Sequence, residues 1–255
     1  MTDSTQRFSS RVDNYVKYRP RYPQELVAAL QEACGLTPCS RIADVGSGTG
    51  LLTEPFLRNG NPVFAVEPNA QMRAAGERQL ARYPNVCSVA GTAEATTLPD
   101  HGVDFVVAGQ AFHWFDRARA REEFLRILPP DGWVVLVWNE RETASTPLMR
   151  AYETFLQRYS IDYSLVDHKQ ITEDVLNDFY GPDGFRLATF SNRQTFDFEG
   201  LRGRLLSSSY TPEAEHPDHE PMLAELARIF EAHAENGCVA FEYTTRMYYN
   251  RLTGD

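Results

Sequence analysis

No stretch of this chain approaches the run of about 20 apolar residues that a membrane-spanning helix requires. Its opening, MTDSTQRFSSR, has no apolar segment of the secretory type. The expectation from both is a cytoplasmic protein with no membrane partner. Cysteine is scarce: Cys34, Cys39, Cys87 and Cys238 make no C-x-x-C pair and no cysteine–histidine set of zinc spacing. No metal site is expected, and the four are expected as buried or half-buried reduced thiols. Basic residues are outnumbered, 25 to 35, leaving a net charge of −10. That balance excludes a general nucleic-acid binder, which needs clustered Lys and Arg to neutralise phosphates. Internal repeats and low-complexity tracts are also missing.

What is present is a globular composition, 42% hydrophobic and 24% charged, over 255 residues, enough for one large α/β domain with an insertion. The chain is organised around Ile42-Ala43-Asp44-Val45-Gly46-Ser47-Gly48-Thr49-Gly50-Leu51-Leu52, a short apolar strand entering a glycine-rich turn that opens a helix. Such a turn lets backbone lie against a ligand and leaves free N–H groups at the helix start. The dinucleotide fingerprint G-x-G-x-x-G requires glycine where Leu51 stands; the third glycine comes one residue early, at Gly50. Pro62 to Glu67 reads as a second strand whose final acid lies about 20 residues past the turn, where doubly wound folds place a carboxylate on ribose hydroxyls. Glu67 also precedes Pro68-Asn69, so it can serve as an N-terminal charge for the next helix; the two roles are compatible.

The pattern D-x-G-x-G-x-G, made here by Asp44, Gly46, Gly48 and Gly50, resembles the first motif of the class I S-adenosylmethionine-dependent methyltransferases. The resemblance implies S-adenosyl-L-methionine as cofactor and S-adenosyl-L-homocysteine as product. It places Asp44, Gly46, Ser47 and Gly48 against the methionine and ribose parts, with Glu67 on the ribose and Pro68 and Met72 near the adenine. Gly91-Thr92-Ala93-Glu94 is similar to the family's adenine-contacting turn, with Ala93 allowing close approach and Glu94 or its main chain meeting the exocyclic amine. Val103 to Ala108 reads as a central fourth strand, and Gln110-Ala111-Phe112-His113-Trp114-Phe115 follows it. Segments of the form Q-A-F-H-W-F resemble the trans-aconitate-methyltransferase-like branch of the type 11 methyltransferases. Gln110 then joins the cofactor site, and His113 and Trp114 border the reacting methyl. His113 is either a general base or a loop-holding residue, with Trp114 and Phe112 as walls.

The continuous β-α-β alternation to Arg141 predicts a doubly wound, Rossmann-like α/β fold. As a family feature, a mostly parallel seven-stranded sheet with an antiparallel edge strand and a helical cap insertion is expected. The divisions expected are an N-terminal lid and covering helix (1–35), a cofactor-binding core (36–141), a helical cap with the sixth strand (142–236) and a final antiparallel strand (237–255). Helices are read at 147–159, 172–180, 199–208 and 220–236, and strands at 185–190 and 239–249. Tyr15-x-x-x-Arg19-Pro20-x-Tyr22-Pro23 resembles the same branch's N-terminal region; it is either a solvated arm packed over the domain or part of a lid in which Tyr15 and Arg19 meet the acceptor. Leu205 to Pro212, L-L-S-S-S-Y-T-P, resembles a cap segment of that branch.

Methyl transfer from a sulfonium is an in-line displacement with an activated leaving group, so alignment and water exclusion are the protein's main tasks. A carboxylate acceptor needs no base but needs cations, for which Arg19, Arg21, Arg141, Arg193 and Arg202 are candidates; a phenol or amine favours a basic His113. The favoured expectation is a small-molecule methyltransferase acting on the carboxylate of a small organic acid, as a monomer or homodimer. The alternatives are a non-catalytic S-adenosylmethionine-binding protein and a nicotinamide-dependent oxidoreductase, against which Leu51 counts.

Overall fold

The computed structural model describes residues 17–161, 171–208 and 210–252; Tyr15 lies outside the described residues. Helix α1 (Glu25–Cys34) precedes the alternating series β1 (Ile42–Val45), α2 (Thr53–Asn59), β2 (Val63–Val66), α3 (Ala70–Leu80), β3 (Val86–Val89), β4 (Phe105–Gly109), α4 (Arg117–Ile127) and β5 (Trp133–Arg141). Then come α5 (Pro147–Tyr159), α6 (Glu173–Tyr180), β6 (Arg186–Phe196), α7 (Phe198–Leu206), α8 (His219–His233) and β7 (Val239–Asn250). The seven strands form one sheet in the order β3-β2-β1-β4-β5-β7-β6. Strands β1 to β5 are mutually parallel, and β7 runs antiparallel to both β5 and β6.

The central strands are apolar on both sides because helices cover both faces. On one face Val45, Val106, Leu136 and Trp138 meet Phe124 and Ile127 of α4. On the other, Ile42, Phe105, Val107 and Val135 meet Leu26 and Leu30 of α1 and Phe56 of α2. A third apolar cluster joins α5, α7 and α8 to the end of β6 and the start of β7 through Tyr152, Leu201, Leu226, Phe241 and Tyr243. Strand β7 therefore serves both: Val239 to Tyr243 pack with these accessory helices, and Met247 packs in the core.

Three expectations change. Helix α6, read with the cap, packs on the sheet: Leu176, Phe179 and Tyr180 join the β1–β4–β5 face, and the Tyr180 hydroxyl donates to the Tyr248 carbonyl at 2.9 Å. Strand β6 runs six residues past Phe190 because an outer strand accepts polar residues such as Asn192 and Gln194, which erase the apolar signal. Cys39 and Cys87 are exposed rather than buried, one in the turn before β1 and one on the outer strand β3.

The parallel strands deliver Gly46, Glu67 and Gln110 to one end of the sheet, where the site forms.

Candidate active site

The glycine turn after β1 is held from behind. The Asp44 carboxylate is fully buried and accepts from the Thr53 hydroxyl at 2.5 Å, fixing the start of α2 relative to β1. Its second oxygen has no hydrogen-bond partner among the described residues. Burial, opposed by the Thr53 bond and reinforced by the Glu67 charge, pushes the Asp44 pKa up to about 7. Gly46 has φ +70 and Gly48 φ +57, left-handed backbone that suits glycine. A Cβ on Gly46 would also lie 2.7 Å from Ala111 Cβ.

Glu67, at the end of β2, reaches across to this turn. Its Oε2 accepts from the Gly48 N–H at 2.9 Å and its Oε1 from the Asn69 N–H at 2.8 Å. Burial raises its pKa, opposed by those two backbone bonds. Asn69 caps α3, its side-chain oxygen accepting from the N–H groups of Gln71 and Met72. At the end of β4, Gln110 takes φ 55, a conformation uncommon outside glycine. Its carboxamide oxygen accepts from the Asn139 N–H at 2.7 Å, tying the β4 turn to the end of β5.

These turns enclose a cavity of about 390 Å³, within the size range of small-molecule sites. Gly46, Gly48, Glu67, Pro68, Met72, Ala93, Glu94, Gln110 and Trp114 line it. Asn69 and, within the two expected turns, Thr92, Gly109, Ala111, Phe115 and Asp116 also line it without being singled out from the sequence. For Asn69 and Asp116 a signal existed, since each is the polar residue immediately before a helix.

Several expected site residues are placed elsewhere. Asp44 and Ser47 do not line the cavity: Asp44 braces the turn, and Ser47 faces a separate small recess shared with Arg73 and Glu77. Phe112 is fully buried, its ring 4.6 Å from that of Phe179, because the chain after Gln110 winds into a 3-10 turn that drives Phe112 inward and leaves Phe115 as the wall. His113 does not line the cavity; its ring lies 4.8 Å from the Trp114 ring. The Glu94 carboxylate accepts from the Asp116 N–H at 2.9 Å. Arg19 lies away from the cavity lining and donates to the Ser207 carbonyl at 2.9 Å. Arg21 pairs with Glu54, and Arg141 with Glu153.

A methyltransferase-domain family profile matches residues 43–136, the segment from β1 into β5. An uncharacterized methyltransferase-like protein of Schizosaccharomyces pombe is 30% identical over 225 residues, 87% of this chain and 85% of its own. The chain belongs to the methyltransferase family. An uncharacterized methyltransferase of Mycobacterium tuberculosis is 39% identical over 140 residues, 55% of either chain, so the chain spans about half the length of that relative. A solved structure from Anaeromyxobacter dehalogenans, assigned provisionally to the type II methyltransferases, has the same fold: TM-score 0.68 at 21% identity, covering 93% of this chain and 100% of that one.

The residues present fit S-adenosyl-L-methionine, the cofactor expected from the glycine turn. Each Glu67 oxygen holds one backbone N–H and keeps lone-pair capacity for one hydroxyl of a vicinal diol. Met72 and Ala93 give apolar surface for a flat base.

Proposed function

We propose that this protein is an S-adenosylmethionine-dependent methyltransferase of small molecules whose acceptor is the carboxylate of a small organic acid. The observation that carries the cofactor assignment is the Glu67 carboxylate, pinned between Gly48 and Asn69 with its remaining acceptor capacity at the cavity. S-Adenosylmethionine supplies a methyl group on an activated sulfonium. The chain's part is to bind, align and exclude water. Glu67 fixes the ribose, Met72 and Ala93 hold the base, and Trp114 and Phe115 wall the region beyond Gln110 where an acceptor approaches.

Support for a carboxylate acceptor comes from the resemblance of Gln110 to Phe115 and of Tyr15 to Pro23 to the trans-aconitate-methyltransferase-like branch. The position of His113 outside the cavity lining adds to it, since a nucleophile that arrives ionised needs no base there. The arm from Tyr18 to Tyr22 and the helices α5, α7 and α8 act as the lid and cap of this reaction. Tyr18 packs on α7 at Gly203, and the Tyr22 hydroxyl lies 2.6 Å from where a Gly109 Cβ would stand, so the arm joins the accessory helices to the cavity wall.

The test is transfer of radiolabelled methyl from S-adenosylmethionine to a panel of small carboxylic acids, amines and phenols. A base-labile methyl ester from one of the acids is expected. Transfer confined to amines or phenols would overturn the acceptor assignment, and no transfer to any member would overturn the enzymatic reading in favour of a cofactor-binding protein.

A further inference from the structure

Resting on the carboxylate reading above, we propose that Arg204 of α7, with Ser208, forms the subsite that recognises a carboxylate of the acceptor. Arg204 is 7% exposed. Its Nε donates to the Tyr243 hydroxyl at 3.3 Å and one terminal nitrogen donates to Ser208 Oγ at 3.1 Å. No carboxylate oxygen lies within 4 Å of this guanidinium among the described residues. A buried cation is ordinarily paired with an anion, because desolvation without one is expensive. Tyr152, whose phenol pKa burial holds above its ordinary value, does not supply that anion.

Of the other candidate cations, Arg193 is exposed on β6 in register with Glu242 of β7, and the rest are committed. Arg21 pairs with Glu54, Arg141 with Glu153, Arg202 with Glu199, and Arg19 holds the Ser207 carbonyl. Arg204 therefore stands apart as a buried, hydrogen-bonded guanidinium with no carboxylate counter-charge among the described residues. Its location suits an acceptor. Tyr243 pairs in register with Arg141, the last residue of β5, so the cluster sits beyond the same strand ends that build the cavity. The arm connects the two, Tyr18 packing on Gly203 one residue from Arg204 and Tyr22 on Gly109. The fork of a guanidinium matches a carboxylate with two parallel bonds, which a lysine does not reproduce.

The test uses the full chain with S-adenosylhomocysteine bound. Di- and tricarboxylic acids of four to six carbons are titrated calorimetrically, and acceptor kinetics are measured for wild type, Arg204→Lys, Arg204→Met and Ser208→Ala. Arg204→Met is expected to weaken acid binding and raise the acceptor KM by about 30-fold or more, with Arg204→Lys between it and wild type. Affinity for S-adenosylhomocysteine is expected to stay within about twofold, since none of these residues lines the cofactor cavity. Should Arg204→Met fail to fold, Ser208→Ala, which removes one bond aiming the guanidinium, is expected to raise the acceptor KM by about 3-fold to 10-fold. Wild-type acceptor KM in the variants that fold overturns the subsite while leaving the carboxylate reading in place. So does a loss of S-adenosylhomocysteine affinity in step with acceptor affinity, which marks a structural role. A wild-type protein that neither binds nor methylates any acid overturns both.

Discussion

Replacing Glu67 by alanine separates the cofactor site from the rest of the fold. In the structure each carboxylate oxygen takes one backbone N–H, from Gly48 and from Asn69, and faces the cavity with its remaining acceptor capacity. With two ribose hydroxyls donating to it, alanine removes two hydrogen bonds to a charged group, each contributing about 1.5–3 kcal/mol. The expected loss is at least about 3 kcal/mol, or about 150-fold in Kd. Glutamine keeps the shape but turns an NH2 group toward one of the two backbone donors, so Glu67→Gln is expected to lose at least about tenfold. It removes a buried charge at the same time, so its thermal stability without cofactor should stay near wild type. Acid has a parallel effect. Glu67 has a raised pKa when buried, and hydroxyl donors favour its ionised form, so cofactor affinity should fall as pH drops through that raised value. Calorimetric titration with S-adenosylhomocysteine reads the affinities without turnover, and a thermal melt of the apo protein reads the stability. Affinity within threefold of wild type for Glu67→Ala would remove Glu67 from the ribose.

Asp44, with a folded pKa of about 7 against an ordinary 3.8, contributes stability in its protonated form that is complete below pH 4 and lost as pH rises toward 7. Asp44→Asn should therefore gain stability over wild type by a few kcal/mol between about pH 4 and 7; denaturant melts showing a pH-independent difference would contradict the assignment. Asn139→Ala removes bonds to the Pro20 and Arg21 carbonyls and to the side chains of Asn192 and Thr245. A loss of about 2–4 kcal/mol and faster amide exchange at residues 18–22 are expected, whereas unchanged exchange would show that the arm is held elsewhere. His113→Gln should lower kcat by less than about tenfold and leave the shape of the pH–rate profile intact, as expected of a residue that braces Trp114. A loss beyond about 100-fold together with disappearance of the acidic limb would make His113 the base for a protonated acceptor.

The local signals in the sequence were those with a fixed spacing. The glycine turn, Glu67 and Gln110 each follow a strand directly, the Ala93–Glu94 turn comes a few residues after β3, and parallel strands carry their last residues to one edge of the sheet. What depended on rotation of a few residues was not legible. Phe112 and Phe115 are equally apolar, and only the 3-10 turn decides that one enters the core and the other faces the cavity. Asp44 reads as a ligand residue in the sequence, yet its bond to Thr53 directs it behind the turn. Contacts between distant segments were invisible for the same reason. Asn139 meets the arm more than a hundred residues earlier in the chain, and Arg204 shares its surroundings with Tyr152 and Tyr243 from other elements. Polar outer strands also hide their length: β6 continues to Phe196 through residues with no apolar alternation.

The central claim is that the cavity between Glu67 and Gln110 holds S-adenosylmethionine. The most direct measurement is calorimetric titration of the wild-type protein with S-adenosylmethionine, S-adenosylhomocysteine and NADH. Binding of both sulfur nucleotides at one site per chain, with no heat from NADH, is the predicted result. Binding of NADH alone would contradict the account and every site assignment built on the glycine turn.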